Sequence, residues 1–166
     1  MGVLRDAVSC TVTEERNGAF ELEMVYPITG QHYSSLALRG LILAKPNPYG
    51  EAQYFRIYKI SRPINGQVTV NAQHISYDLS GIPVGPCKAL NAVDALQQLK
   101  SHAAVSCDYQ FWTDIQTVAD FAVAVPGSLR SLLGGVEGSV LDETGDNFVE
   151  VDLEANREYL KRQGID

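Results

Sequence analysis

Apolar and polar positions alternate strictly near the start of the chain. Val8, Cys10 and Val12 fall on one side of an extended segment, and Ser9, Thr11 and Thr13 on the other. After a polar break, Phe20, Leu22, Met24 and Tyr26 alternate with Glu21 and Glu23. A period of two marks strands with one face buried and one in water. The turn between them can be derived from the same rows. A two-residue Asn17-Gly18 loop would set Val12 opposite Glu23. A three-residue loop, Arg16-Asn17-Gly18 with Gly18 left-handed, sets Val12 opposite Leu22 and Cys10 opposite Met24. Only the second register keeps both apolar rows on one face, so a bulged hairpin is expected.

Leu41 to Ala44 reads as a short apolar strand closed by Pro46, Pro48 and Gly50. Gln53 to Ile60 carries aromatic or aliphatic groups at both parities, which predicts a central strand covered on both sides. Asn65-Gly66 turns it into Val68 to Ala72, with a two- or three-residue loop equally compatible. Beyond residue 74 the texture changes. His74 to Leu79 predicts a short helix ended by Gly81 and Pro83. Asn91 caps a longer helix on which Ala92, Leu96, Leu99 and Ala103 recur at helical spacing. Cys107 to Trp112 and Ala119 to Val125 predict a second, smaller hairpin. Ser128 caps a short helix over Leu129 to Leu133, and Ser139 another over Val140 to Glu143, each followed by glycine. The end, Leu153 to Gln163, is charged and weakly amphipathic, with Glu158 and Arg162 spaced to pair on a helix. The expected organisation is a hairpin-rich domain over 1–80, an α/β insertion with short helices over 81–145, and a divergent segment over 146–166. The class is therefore α+β, strand-rich.

Composition narrows the functions. Of 166 residues, 45% are hydrophobic and 20% charged, which describes a globular chain rather than a disordered one. The net charge of -7, without any Lys/Arg cluster, disfavours nucleic acid, whose binding requires cations that displace phosphate counterions. No apolar run approaches the length of a membrane span, so no membrane insertion is expected. Arg5 and Asp6 interrupt any signal-peptide core, and Asp6 stands where a myristoylation signal has Ser or Thr. Three distant cysteines, Cys10, Cys87 and Cys107, form no CxxC pair and fit a reducing compartment.

Candidate chemistry is sparse. The histidines are His32, His74 and His102, and there is no GxSxG elbow. A Cys107/His74 pair is compatible with nucleophilic catalysis, but Cys107 opens an apolar strand and His74 ends one, which favours structural roles. Gly134-Gly135-Val136-Glu137-Gly138 lacks the preceding strand and the Lys-Ser/Thr of a phosphate loop, and two helix stops explain it better. Asp142, Glu143 and Asp146 cluster without any metal-binding pattern, and Asp108, Asp114 and Asp120 recur at a spacing that fits no face. His74-Ile75-Ser76-Tyr77-Asp78 offers a His/Tyr/Asp cluster for a ligand. Its position between a strand and a helix favours backbone capping instead. Tyr33, Tyr49 and Trp112 are the aromatics that a carbohydrate- or receptor-binding module would use. No catalytic, cofactor-binding or metal residue is assigned from sequence, and no cofactor is expected.

Four stretches together resemble a known family. The first is Asp6-Ala-Val-Ser-Cys10 continuing through Val12 to Gly18, Glu21-Leu-Glu23 and Tyr26-Pro27. The others are Gln53-Tyr-Phe-Arg-Ile-Tyr58, Ala72-Gln-His-Ile-Ser-Tyr-Asp-Leu79, and Pro126 through Leu133 to Gly138-Ser-Val-Leu-Asp142. In order and spacing the set is similar to the bacteriophage prophage endopeptidase tail, phage minor structural, or tail-associated lysin proteins, over roughly residues 4 to 148. The resemblance implies hub-like β-barrel domains of antiparallel hairpins with a helical insertion. It implies a homotrimer at the virion tail tip, made in the bacterial cytoplasm, contacting the distal tail and tape-measure proteins. Lytic activity, where the family has it, lies in a separate C-terminal portion, so this stretch is expected not to be an enzyme. A peptidoglycan-cleaving endopeptidase and a receptor- or carbohydrate-binding module are the alternatives. The chain departs from the family pattern after Phe148, where a Gly-rich β segment with Tyr-Gly-Lys-Asn is replaced by Glu150 to Asp166.

Overall fold

The computed structural model describes residues 2–15, 18–49, 51–113, 115, 118–134, 137–144 and 150–151. It divides into two compact units, Met1–Ile75 and Ser76–Asp166. The first is one curled antiparallel sheet, a half-barrel, of β1 (Ser9–Glu14), β2 (Phe20–Pro27), β3 (Leu41–Ala44), β4 (Gln53–Ile60) and β5 (Gln67–His74). Their spatial order is β1-β2-β5-β4-β3. The strand-rich α+β class is thus what the structure shows.

The β1–β2 register is the one the apolar rows demand: Val12 lies opposite Leu22 and Cys10 opposite Met24. Glu15 N–H donates to Ala19 C=O at 2.7 Å, which continues the same register past the end of β1. The conformation expected of Gly18 depends on Asn17 and lies outside the described residues. The concave core collects Leu22, Met24 and Tyr26 from β2, Ile42 from β3, Phe55 and Ile57 from β4, and Val68, Val70 and Ala72 from β5. These positions alternate along each strand, so period two converts directly into one buried face.

β4 differs from expectation. It lies beside the edge strand β3, and only Phe55 and Ile57 are fully buried, while Tyr58 is 46% exposed. The pairing with β5 shifts between Ile57 and Lys59, a bulge that returns Ile60 to the concave face. A bulge flips the parity of a strand, and here that makes a one-sided strand read as apolar on both faces. The open loop at Asn65-Gly66 is a two-residue turn. Both residues have positive φ, 50° and 74°, and Ile64 and Gln67 exchange both backbone hydrogen bonds. Asn-Gly is the pair that tolerates this left-handed geometry.

A 3-10 turn over Ile75–Gly81 leads from the first unit into the second, where a short helix from His74 is expected; His74 itself ends β5. Next come β6 (Pro83–Val84), β7 (Cys87–Asn91), α1 (Ala92–Ser101), β8 (Phe111–Trp112) and β9 (Val118–Val123). Finally β10 (Gly127–Ser128), α2 (Leu129–Leu133), α3 (Val140–Thr144) and β11 (Glu150–Val151) complete it. Asn91 caps α1 as expected, its Oδ1 accepting from Asp94 N–H at 2.8 Å. Ala92, Ala95, Leu96 and Leu99 form its buried stripe. Ala103 lies past the helix, in an isolated bridge to Val84.

The predicted hairpin of Cys107 to Trp112 with Ala119 to Val125 is not formed. β9 pairs antiparallel with β7, and the two residues of β8 pair with β11. The alternation of Cys87 and Ala89, buried, with Lys88 and Leu90, exposed, is the strand signal that β9 answers. Cys107 and Tyr109 are buried without belonging to any strand. Ser128 caps α2 as expected, accepting from Ser131 N–H at 3.1 Å. Ser139 does not cap α3: its buried hydroxyl has no hydrogen-bond partner, and Asp142 reaches back to Gly138 N–H at 2.8 Å. The segment Leu153 to Gln163 lies outside the described residues.

Candidate assembly surface

His74, Tyr77 and Asp78 each make contacts within their own unit. His74 is 6% exposed and stacks on Phe20, ring centroids 4.4 Å apart at 23°. Its Nε2 lies 3.2 Å from Gln53 Oε1, and Phe55 meets the imidazole ring edge-on at 5.7 Å. His74 is therefore a buried aromatic plate beside Phe20 and Phe55, with Gln53 within hydrogen-bond reach. Tyr77 and Asp78 engage other groups. Arg130 Cζ sits 3.8 Å above the Tyr77 ring, a cation–π contact, and Asp78 Oδ2 accepts from Tyr109 O–H at 3.5 Å. Each of the three side chains thus meets a partner within its own unit.

Cys107 belongs to the second unit and is buried, as is Cys87, whereas Cys10 is exposed on β1. Burial pushes the Cys87 and Cys107 thiols up from their ordinary range. At Cys107 the backbone hydrogen bond to Tyr109 and the Lys100 ammonium work against that rise, but desolvation is the larger effect. A thiol held protonated is a poor nucleophile, because the thiolate is the reactive form. Titration of the native protein with a disulfide reagent at neutral pH is expected to release one thiol equivalent quickly, from Cys10. The other two should react only on unfolding; fast reaction of Cys107 would contradict its placement.

Among the described residues, no group of three or more His, Cys, Asp and Glu is arranged to hold a metal ion. Asp142 and Glu143 are exposed, and Asp114 and Asp146 lie outside the described residues. Among the described residues no helix is long and apolar enough to cross a membrane. Of the aromatics considered for ligand binding, Tyr49 is 98% and Trp112 57% exposed, while Tyr33 packs against the half-barrel core.

What remains prominent is surface available for contact. On the half-barrel, β1 is exposed at every position except the half-buried Val12. Its flank is continued by Val8, and Leu38, Leu43 and Ile64 add exposed apolar groups elsewhere on this unit. The convex face is polar and laced across strands: Tyr58 O–H donates to Glu21 Oε2 at 3.2 Å, and Asn71 Nδ2 donates to Glu23 Oε2 at 3.3 Å. In the second unit, Leu90 on β7 and Val118 on β9 are exposed while Ala89 and Phe121 face inward.

A cleft of about 350 Å³ opens within the first unit between the N-terminal segment and β3. Leu4, Leu36, Ile42 and Ile57 form its apolar walls, with His32 and Ser35 beside them. The adjoining loop is tied down by Asp6, whose Oδ2 accepts from Gln31 N–H at 2.8 Å and from Tyr26 O–H at 3.5 Å. His32 N–H donates to the Tyr26 hydroxyl oxygen at 3.4 Å. Sequence reasoning misses this network, because Asp6 and Gln31 are separated by 25 positions and no local spacing joins them. Gly30 is part of it: a Cβ there would fall 2.5 Å from Tyr26 Cε1. Tyr26 is fully buried and cannot yield. Gly30→Ala is therefore expected to destabilise the protein by about 1–3 kcal/mol, the ordinary cost of overpacking, as read from the urea midpoint.

No family model matches the chain, and neither a curated protein nor a solved structure matches it.

Proposed function

We propose that this chain is a structural module of a phage or prophage tail tip, acting by assembly rather than by catalysis. The observation that carries the reading is where the four family-like stretches fall. The first forms the β1–β2 hairpin, the second is the body of β4, the third joins β5 to the 3-10 turn, and the fourth spans β10, α2 and α3. Each supplies core residues or caps: Leu22 and Met24, Phe55 and Ile57, Ala72 and His74, Ser128 and Leu129. A family likeness written in framework residues bespeaks a shared scaffold, and a scaffold with exposed strand edges suits contact with neighbouring subunits. In this reading the module is a hub-like barrel element that forms a homotrimer at the virion tail tip. It contacts the distal tail and tape-measure proteins and uses no cofactor.

Light scattering and negative-stain imaging of the pure protein, alone and mixed with a distal tail protein, test the reading. A ring-like homo-oligomer that gains mass in the mixture is expected. A strict monomer that binds no tail component would overturn it, as would muropeptide release from cell walls that alkylation of Cys107 abolishes.

A further inference from the structure

The first unit leaves one sheet edge unguarded. β1 is a six-residue strand, Ser-Cys-Thr-Val-Thr-Glu, without proline, lysine or arginine, and its pairing with β2 runs without a bulge. Those are the devices that normally keep an edge from pairing with another chain. The opposite edge, β3, has four residues and flanks the cleft beside Leu4 and His32.

The hydrogen-bond phase shows which groups β1 offers. Glu15 pairs with Ala19 through its N–H, and Ile28 N–H donates to Gly66 C=O on the far side of β2. Antiparallel strands bond through alternate residues. The odd residues Ser9, Thr11 and Thr13 therefore bond β2, and Cys10, Val12 and Glu14 direct their N–H and C=O groups outward. Among the described residues no strand pairs with that side.

We propose that β1 pairs antiparallel with β1 of a second copy, about a two-fold axis through Thr11, joining two half-barrel sheets into one. The strand is self-complementary in that register. Cys10 faces Val12 of the other copy twice over, Thr11 faces Thr11, and Ser9 faces Thr13. The apolar positions stay on one face and hydroxyl groups meet on the other, pairings that stabilise sheets. Glu14 falls beyond the paired stretch at each end, since Val8 N–H is held by Val25 C=O of its own sheet at 2.9 Å. Slipping the pairing to set Cys10 against Cys10 would put Glu14 opposite Asp6, two like charges. Setting Val12 against Val12 would put Glu14 opposite Cys10 and lose both Cys10–Val12 contacts. The inference does not rest on the tail-tip reading.

Multi-angle light scattering at high protein concentration, on the wild type and on Cys10→Pro, is the first measurement. Cys10 is exposed and its N–H points outward, so proline removes one edge donor without touching the β1–β2 ladder. The wild type is expected at twice the 18.1 kDa chain mass, and Cys10→Pro at about half the wild-type value with an unchanged circular dichroism spectrum. A hexamer that becomes a trimer in Cys10→Pro supports the pairing equally. The second measurement does not depend on how the proline variant folds. Thr11→Cys and Thr13→Cys are each made in a Cys10→Ser background and mildly oxidised. Residues at the two-fold approach to roughly 4.5 Å between Cα atoms, within disulfide range. Thr11→Cys should link into dimers and Thr13→Cys should not. A wild-type monomer, equal linking of both variants, or an oligomer unchanged by Cys10→Pro would overturn the proposal. A trimer unchanged by Cys10→Pro would do so while favouring the tail-tip reading.

Discussion

Replacing Phe55 by alanine is expected to cost about 3–5 kcal/mol, the usual range for removing a buried phenylalanine. The ring is fully buried at the centre of β4, between Ile42 on one neighbouring strand and His74 on the other. Phe20 meets it edge-to-face at 5.4 Å and His74 at 5.7 Å, so the truncation also removes two aromatic contacts. The cavity would be slow to collapse, because its walls are strand backbones fixed by ladders on both sides. Against a typical total stability of about 5–15 kcal/mol, the loss threatens the whole half-barrel. Urea unfolding followed by far-ultraviolet circular dichroism should show a lower midpoint with an unchanged slope. A shift worth under about 1 kcal/mol would mean that the concave core is not where Phe55 packs.

The same cluster shows how much of the fold is legible along the chain. Alternation and turn length together were enough to derive the β1–β2 register, because a slip by one residue would have turned Val12 toward Glu23. The Asn91 cap and the Leu96/Leu99 stripe were legible for a similar reason: both are local, acting within one or two helical turns. What escapes is non-local or irregular. Nothing in the segment Cys87–Asn91 announces that its partner is Val118–Val123, across a helix, so the nearer segment Cys107 to Trp112 looks like the natural mate. The bulge at Ile57/Lys59 hides one-sided burial behind a two-sided apolar pattern. Ser139 carries the right residue type for a cap, yet its hydroxyl is turned into the interior and Asp142 does the backbone work.

For the surface, the sequence shows composition without position. The residues of β1 read as an ordinary half-buried strand, and only the sheet order makes them an edge. Conversely, His74 and Cys107, the pair that invites a catalytic reading, are both buried. Exposure remains on the β1 edge and on Leu90 and Val118 of the second unit, and no residue type in the sequence marks those places.

Leu99→Ala is expected to produce the second large effect, about 2–5 kcal/mol, in the second unit. Leu99 is fully buried on the stripe of α1, which packs against β7 and β9. Ala92 and Ala95 on the same face are small, which leaves Leu96 and Leu99 as the large buried side chains of the helix. The next residue, Lys100, holds the Tyr109 carbonyl at 3.0 Å, so a displaced α1 also loosens the segment leading to Trp112. Trp112 is the chain's one tryptophan, which makes its fluorescence a reporter of this unit. The Trp112 transition should move to lower denaturant in Leu99→Ala. The exposed Leu90→Ala, whose side chain is 64% accessible, should leave it within about 0.5 kcal/mol of the wild type. Equal shifts in the two variants would contradict the assignment of Leu99 to the interior and Leu90 to the surface. The contrast matters for function as well as stability, because a Leu90 that contributes nothing to folding is free to serve a contact between molecules.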